Sequence, residues 1–349
     1  MKTELTRKDT AILKGMGILC IILHNFLHLL PFTVHENEYT FNLNKSHFLW
    51  QHLTEWRGEI LADIVSYFGH YGVPVFLFAS GYGLVRKYED GHVESSFGEF
   101  VRYNLSKLFK LMIIAYIVFL LIDKWNQQID SIRVVAQLTF TGNMFPHPLA
   151  YPGPYWYFSL TLQLYLLYYL VLRRVGRGPL LAIVIACCVL QAFYILDRES
   201  LNYIRYNFPG SVLPFSMGIW AARYGMNIRP WHFVASAAAI FALVFCYVPL
   251  LGNVSGRTLS VVSGLAWLAI PFFVVTGFLS FARILPSGAA RVFGWVGGIS
   301  AAVFATHPIV RSVVLPLTSI DNYKVNVAIY LVACLIIGYL YGKIVKMLR

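Results

Sequence analysis

Residues 11–30 form an apolar run long enough to cross a bilayer, yet it carries Lys14 near its start and His24, Asn25 and His28 in its second half. A membrane span needs about 20 such residues. A bilayer core offers no water to the backbone, so the run must satisfy its own hydrogen bonds as a helix. Ionisable groups at that depth cost of order 2.5–3.5 kcal/mol each when charged, and they mark substrate or proton paths. His24 and His28 lie four residues apart and therefore project from one helix face. That face has to look onto protein or a wet cavity, not onto lipid. Thirteen steps of about 1.5 Å separate residue 11 from His24, which puts His24 roughly 20 Å into a core of ~30 Å. Lys14 stays near the edge where the chain enters.

Nine further apolar runs follow, at 62–85, 103–123, 154–172, 179–196, 208–224, 231–250, 259–280, 292–316 and 325–346. The run 208–224 contains Pro209, Gly210 and Pro214, which membrane helices tolerate. The stretch 131–142 is too short to span and suits the interface. The sequence thus predicts an all-α fold: a polytopic transmembrane helical bundle of about ten spans, read as a single integral-membrane unit over residues 1–349. Only 13% of the residues are charged, against about 25% in soluble domains. The first run is too long for a secretory signal and lacks a small-residue cleavage site, so it reads as a retained span.

The net charge of +12 would suit a nucleic-acid partner, but the basic residues sit at the ends of the apolar runs. That is a topology signal rather than a nucleic-acid groove. Ten spans place 18 Lys and Arg residues on the amino-terminal side and nine on the other, with Lys14 inside the first span. The positive-inside rule then predicts both termini in the cytoplasm of a multi-pass cell-membrane protein, the inner membrane in a Gram-negative source. Opposite them lie two long aromatic loops, 31–61 and 124–153. Such loops suit either function, including sugar binding, or an interfacial aromatic belt.

A neutral imidazole in the outer half of a span is a good general base. The same histidine is equally at home as a hydrogen bonder between helices. The His24/His28 spacing is also half of a metal site, but no third ligand stands near it in sequence and no metal is expected. The five cysteines all lie in apolar runs without ligand spacing and read as small buried hydrophobes. From these residues alone two functions stand: an enzyme using His24, or a secondary transporter using the His24/His28 pair to couple protons or solute. No internal repeat is evident, which disfavours inverted-repeat transporters.

Four segments in order resemble the membrane-bound acyltransferase 3 family, the multi-span O-acyltransferases of cell-surface glycans. They are L-K-G-M-G-I-L-C-I-I-L-H-N-F from Leu13, G-V-P-V-F-L-F-A-S-G-Y from Gly72, P-Y-W-Y-F-S-L-T-L-Q-L-Y-L-L-Y from Pro154 and I-S-A-A-V-F-A-T-H-P from Ile299. The resemblance runs from about residue 5 to 346. It departs in three places. Lys14 and His24 are ten residues apart where the family usually has eleven, the family's Arg-rich third-span motif is softened to N-L-S-K-L-F-K from Asn104, and Ser211 stands where an Arg is common.

The resemblance implies acyl transfer, commonly of acetyl from cytoplasmic acetyl-CoA, to a hydroxyl of a cell-surface or exported carbohydrate. On these residues it implies His24, with His28 as the fallback one turn on, as base or transient acyl carrier. It implies Lys14, Arg86, Lys87, Arg102, Lys107 and Lys110 against the cofactor, although each is also an ordinary positive-inside anchor. Asn25, Trp156, Gln163 and His307 are the acceptor-side candidates. Asp63 and Glu59 are candidates to orient a histidine, and Ser80-Gly81 reads as a close-packing point.

Overall fold

The computed structural model describes residues 4–36, 43–56, 59–91, 93–124, 130–145, 149–246 and 256–348. Parts of the two long loops (37–42, 57–58, 125–129 and 146–148), the end of the seventh run at 247–250 and the side chain of Cys246 lie outside the described residues. The rest is all-helical. In chain order the helices are α1 (Arg7–Leu27), α2 (Leu43–Glu55), α3 (Ile60–Phe68), α4 (Gly72–Tyr88), α5 (Phe97–Lys124), α6 (Ser131–Leu138) and α7 (Trp156–Leu170). Then come α8 (Arg177–Phe193), α9 (Arg198–Tyr206), α10 (Phe208–Tyr224), α11 (Trp231–Phe241), α12 (Gly256–Ile284), α13 (Ser287–Val314) and α14 (Tyr323–Met347).

Among the described residues six helical stretches are long and apolar enough to cross a bilayer: Arg7–Leu27, Ile60–Tyr88, Phe97–Asp123, Gly256–Ile284, Ser287–Leu317 and Tyr323–Met347. The chain is an integral multi-pass membrane protein. Four of the ten runs fold into shorter helices than the hydropathy suggested: α7 has 15 residues, α8 and α10 have 17 each, and α11 has 11 before a π-helical turn over Ala242–Cys246. Seventeen residues rise about 26 Å, slightly less than a ~30 Å core. Pro209 sits in the first turn of α10 and Pro214 inside it, and the helix runs through both. The short stretch after residue 130 is α6, capped by Asp130 accepting from the Ile132 N–H.

The first helix is the hub. It begins with a capping box: the Thr6 hydroxyl accepts from the Asp9 N–H while the Asp9 carboxylate accepts from the Thr6 N–H. Helices in lipid gain little from burying apolar surface against one another, so close backbone approach matters more. A β-carbon built on Gly15 would fall 1.9 Å from the Phe293 carbonyl oxygen of α13, and one on Gly297 1.8 Å from that of Ala11. Only glycine lets α1 and α13 cross this tightly. On α4, the Ser80-Gly81 point is tight as expected, since a β-carbon on Gly81 would meet the Phe215 carbonyl of α10 at 2.2 Å. Deep in α1, Ile18, Ile22 and Phe26 are fully buried, and Phe26 stacks on Tyr330 of α14 at 4.6 Å.

The first and last described residues lie at one end of the bundle. There the Leu5 N–H donates to Tyr82 Oη (2.9 Å) and Lys110 Nζ to the Leu348 carbonyl (3.1 Å). Glu89, just past α4, accepts both Arg223 Nε (2.7 Å) and Nη2 (2.8 Å) and also Tyr168 Oη (2.8 Å). At the far end Tyr323 donates to Glu59, with Lys324 3.3 Å from the same carboxylate, and these contacts hold the Glu59 carboxyl below its ordinary range. The cysteines Cys20, Cys187, Cys188 and Cys334 are free thiols.

Candidate active site

The helix pair α3–α4 is broken by a 3₁₀ turn over Gly69–Tyr71. This break packs against the second half of α1 and brings backbone to His24. His24 Nδ1 lies 2.9 Å from the Ser66 carbonyl oxygen. A carbonyl can only accept, so the neutral ring carries its proton on Nδ1 and its lone pair on Nε2. The same argument holds for His28, whose Nδ1 donates to the His24 carbonyl at 3.0 Å. The two rings stack at 4.6 Å with planes 5° apart, as the four-residue spacing requires. His70, from the 3₁₀ turn, places its ring 5.2 Å from His24, and His35 lies 6.2 Å from His28.

His24 and His28 line a cavity of about 530 Å³ at the end of the bundle remote from the termini. Asn25 and Trp156 line it too, together with Tyr157 and Arg311. Asn25 Nδ2 donates back to the Ile21 carbonyl (2.9 Å), and its own carbonyl accepts from Arg311 Nη1 (3.2 Å). Two other expected residues stand behind the wall. Gln163 donates to Asn207 Oδ1 (2.7 Å) and accepts from the Phe208 N–H (3.1 Å), so it caps α10 rather than facing the cavity. Asn143 bonds the Trp156 and Tyr206 carbonyls (2.9 and 2.7 Å), tying that wall together. His307 is fully buried, with Nδ1 on the Phe304 carbonyl (2.7 Å) and its ring 5.5 Å from Phe304, which lines the cavity.

At the terminal end, Arg102, Lys107 and Lys110 line a second cleft of about 580 Å³ between α5, α13 and α14. Lys14 of α1 is near enough to Lys107 for their charges to interact. Among the described residues no carboxylate forms an ion pair with Lys14, Arg102 or Lys107. Lys87 stacks over the ring of Tyr103, a wall of this cleft, at 3.6 Å. Arg86 is placed differently: it pairs with Asp90 (2.7 Å) and Glu4 (3.4 Å) and bonds Tyr82 Oη. A polar seam lies between the two cavities. Ser80 of α4 lies close to both Tyr157, which lines the far cavity, and Tyr165, which is in electrostatic reach of Tyr103.

Asp63 does orient a histidine, but it is His52 of α2, at 2.6 Å; its other oxygen accepts the Val34 N–H at 2.8 Å. The fully buried carboxylate thus pins the loop after α1 to α2. Sequence reading did not single out His70 or Arg311 for the site. His70 was legible as an ionisable residue in G-H-Y-G immediately before the second motif. Arg311 lay inside the ninth apolar run but was counted only as a topology charge. Among the described residues no group of three or more His, Cys, Asp or Glu side chains is arranged to hold a metal.

A family model described as an acyltransferase domain, of the acyltransferase 3 type, matches residues 11–343. No curated protein and no solved structure matches the chain.

Proposed function

The chain belongs to the acyltransferase 3 family of membrane acyltransferases, and from that premise we propose that it moves an acetyl group from cytoplasmic acetyl-CoA to a hydroxyl of a cell-surface or exported carbohydrate. The observation that carries this reading is the His24 Nδ1 to Ser66 carbonyl bond, because it leaves Nε2 as a lone pair on a ring that lines the far cavity. A base held in one tautomer by a backbone carbonyl loses no time to the unproductive form. As the acceptor oxygen attacks the thioester carbon, its proton passes to Nε2, the C–S bond breaks, and the proton is returned to the departing thiolate. Acyl transfer through Nε2 itself would use the same lone pair.

The aromatic walls of the far cavity, including Trp156 and Tyr157, suit the apolar faces of a sugar. The cleft lined by Arg102, Lys107 and Lys110, with Lys14 in charge reach of Lys107, suits the phosphates of the cofactor, since no described carboxylate forms an ion pair with Lys14, Arg102 or Lys107. With both termini at that end, the positive-inside rule puts this cleft in the cytoplasm and His24 in the outer half. The Ser80 seam is then the route by which the acyl end reaches His24.

The test is transfer of labelled acetyl from acetyl-CoA to surface glycan by membranes holding wild type, His24→Ala or His28→Ala at matched expression. We expect His24→Ala to lose at least ~100-fold, in line with removal of a general base, and His28→Ala to retain most activity. Wild-type rates in both variants would overturn the histidine mechanism and return the transporter reading of the pair to the front.

A further inference from the structure

The far cavity holds a cation for which no described carboxylate serves as counter-ion. Arg311 sits on α13, one turn beyond His307, and lines the same cavity as His24 and His28. Among the described residues its hydrogen bonds use Nη1 alone, to the carbonyl oxygen (3.2 Å) and Oδ1 (3.4 Å) of Asn25. Nε and Nη2 donate to no group of the described residues, and no described carboxylate lies within ion-pair distance of the guanidinium. Glu36, at the cavity mouth and outside the spans, is the one acidic residue among the described lining. The other polar side chains lining the cavity are the Asn25 amide, the His24, His28 and His70 imidazoles, the Trp156 indole and the Tyr157 and Tyr206 phenols.

A guanidinium fixed at the level of a membrane span is costly unless something compensates it. Here Asn25 fixes one nitrogen and leaves the remaining fork open toward the cavity. A planar fork of that kind matches a carboxylate or a phosphate with two parallel charge-assisted bonds. We propose that Arg311 is an anion-recognition residue of the acceptor site, so that the carbohydrate acylated here carries a carboxylate or phosphate close to the reacting hydroxyl. This rests on the reading that the far cavity holds the acceptor. Because Arg311 is bonded to Asn25, next in sequence to His24, an anion on the guanidinium would place the rest of the sugar against the histidine ring. Neutral sugars would leave the fork unpaired and lose that register.

The experiment uses the purified full chain in detergent and reads binding, not turnover. The probes are glucuronate, glucose 1-phosphate and glucose, titrated against wild type, Arg311→Gln and Arg311→Lys with the shift of the melting curve and a calorimetric Kd as readouts. We expect glucuronate or glucose 1-phosphate to bind on the order of tenfold more tightly than glucose, a margin set by charge-assisted bonds. Binding of glucuronate alone assigns a carboxylate, and of glucose 1-phosphate alone a phosphate. Arg311→Gln should abolish the preference and Arg311→Lys keep part of it. Should Arg311→Gln fail to fold, the wild-type and Arg311→Lys titrations still decide the matter. Equal binding of glucose and the anions by wild type overturns the proposal. So does an unchanged preference in Arg311→Gln, or a loss of acetyl transfer in that variant with no anion preference in wild type, which would make Arg311 a stabiliser of the transition state instead. Failure of the acyl-transfer assay with intact anion preference would sink the functional reading and leave Arg311 as an anion site.

Discussion

A β-carbon placed on Gly69 would fall 2.7 Å from the Cβ of His24 and 2.9 Å from the carbonyl oxygen of Cys20. The 3₁₀ turn that interrupts α3 and α4 thus approaches α1 so closely that only hydrogen fits between the two backbones. That contact sets the depth and tilt of the imidazole whose Nδ1 reaches the Ser66 carbonyl.

Gly69→Ala should therefore act on His24 rather than on the fold at large. Neither the His24 Cβ nor the Cys20 carbonyl is the far end of a flexible side chain, so α1 or the turn must shift, at a cost of about 1–3 kcal/mol. Acetyl transfer is expected to fall by at least about tenfold, since a displacement near 1 Å at a catalytic group can cost more than that. Melting of the detergent-solubilised variant checks that it still folds. A variant with wild-type transfer would show that the His24 position is not held by this contact.

The terminal-end cleft makes a separate prediction about the donor. Lys107→Gln and Arg102→Gln should raise KM for acetyl-CoA several-fold with a smaller change in kcat, because charges that touch only the cofactor contribute alike to ground state and transition state. Arg86→Gln should raise it less, since Asp90 and Glu4 already neutralise that guanidinium. The differences should shrink as ionic strength rises and screening shortens the reach of the charges. Initial-rate kinetics at low and high salt measure this; equal effects of Arg86 and Lys107 would remove the cleft as the cofactor site.

The Glu89–Arg223 contact bears on stability. Arg223 is one-tenth exposed and Glu89 one-quarter exposed at the side chain. Besides Glu89, the guanidinium also donates to the carbonyls of Val175 (2.9 Å) and Leu172 (2.8 Å). Arg223→Ala would leave a partly buried carboxylate and two carbonyls without their donor, so it should destabilise by about 2–3 kcal/mol, below the range for fully buried pairs because Glu89 keeps some solvent. Double mutation of Glu89→Gln with Arg223→Met should recover part of the loss. Thermal or denaturant melting of wild type and the two variants in one detergent reads the effect, with no selective change in KM expected for either substrate.

What the sequence alone determined about this protein is local and periodic. Apolar run length required helices, the His24/His28 spacing put two imidazoles on one face, Thr6 and Asp9 wrote the start of α1, and the four ordered motifs indicated the family. Only the tertiary structure decided which groups meet. His24 finds its carbonyl 42 residues away at Ser66, and Asn25 meets Arg311 across 286 residues. Helical periodicity relates positions three or four apart and carries no information about such encounters. Gln163 and Trp156 illustrate the limit: they share one helix and one motif, yet Trp156 lines the cavity and Gln163 caps α10 behind it. Asp63 was a candidate to orient a histidine, but the path of the loop after α1 gave it His52. The glycines at 15, 69 and 297 look alike in sequence to Gly83 or Gly288, where an added β-carbon would meet no other part of the described structure within 4 Å. Their meaning comes from the backbone lying opposite, and in a membrane, where close van der Waals contact rather than the expulsion of water holds helices together, that neighbour is fixed by packing alone.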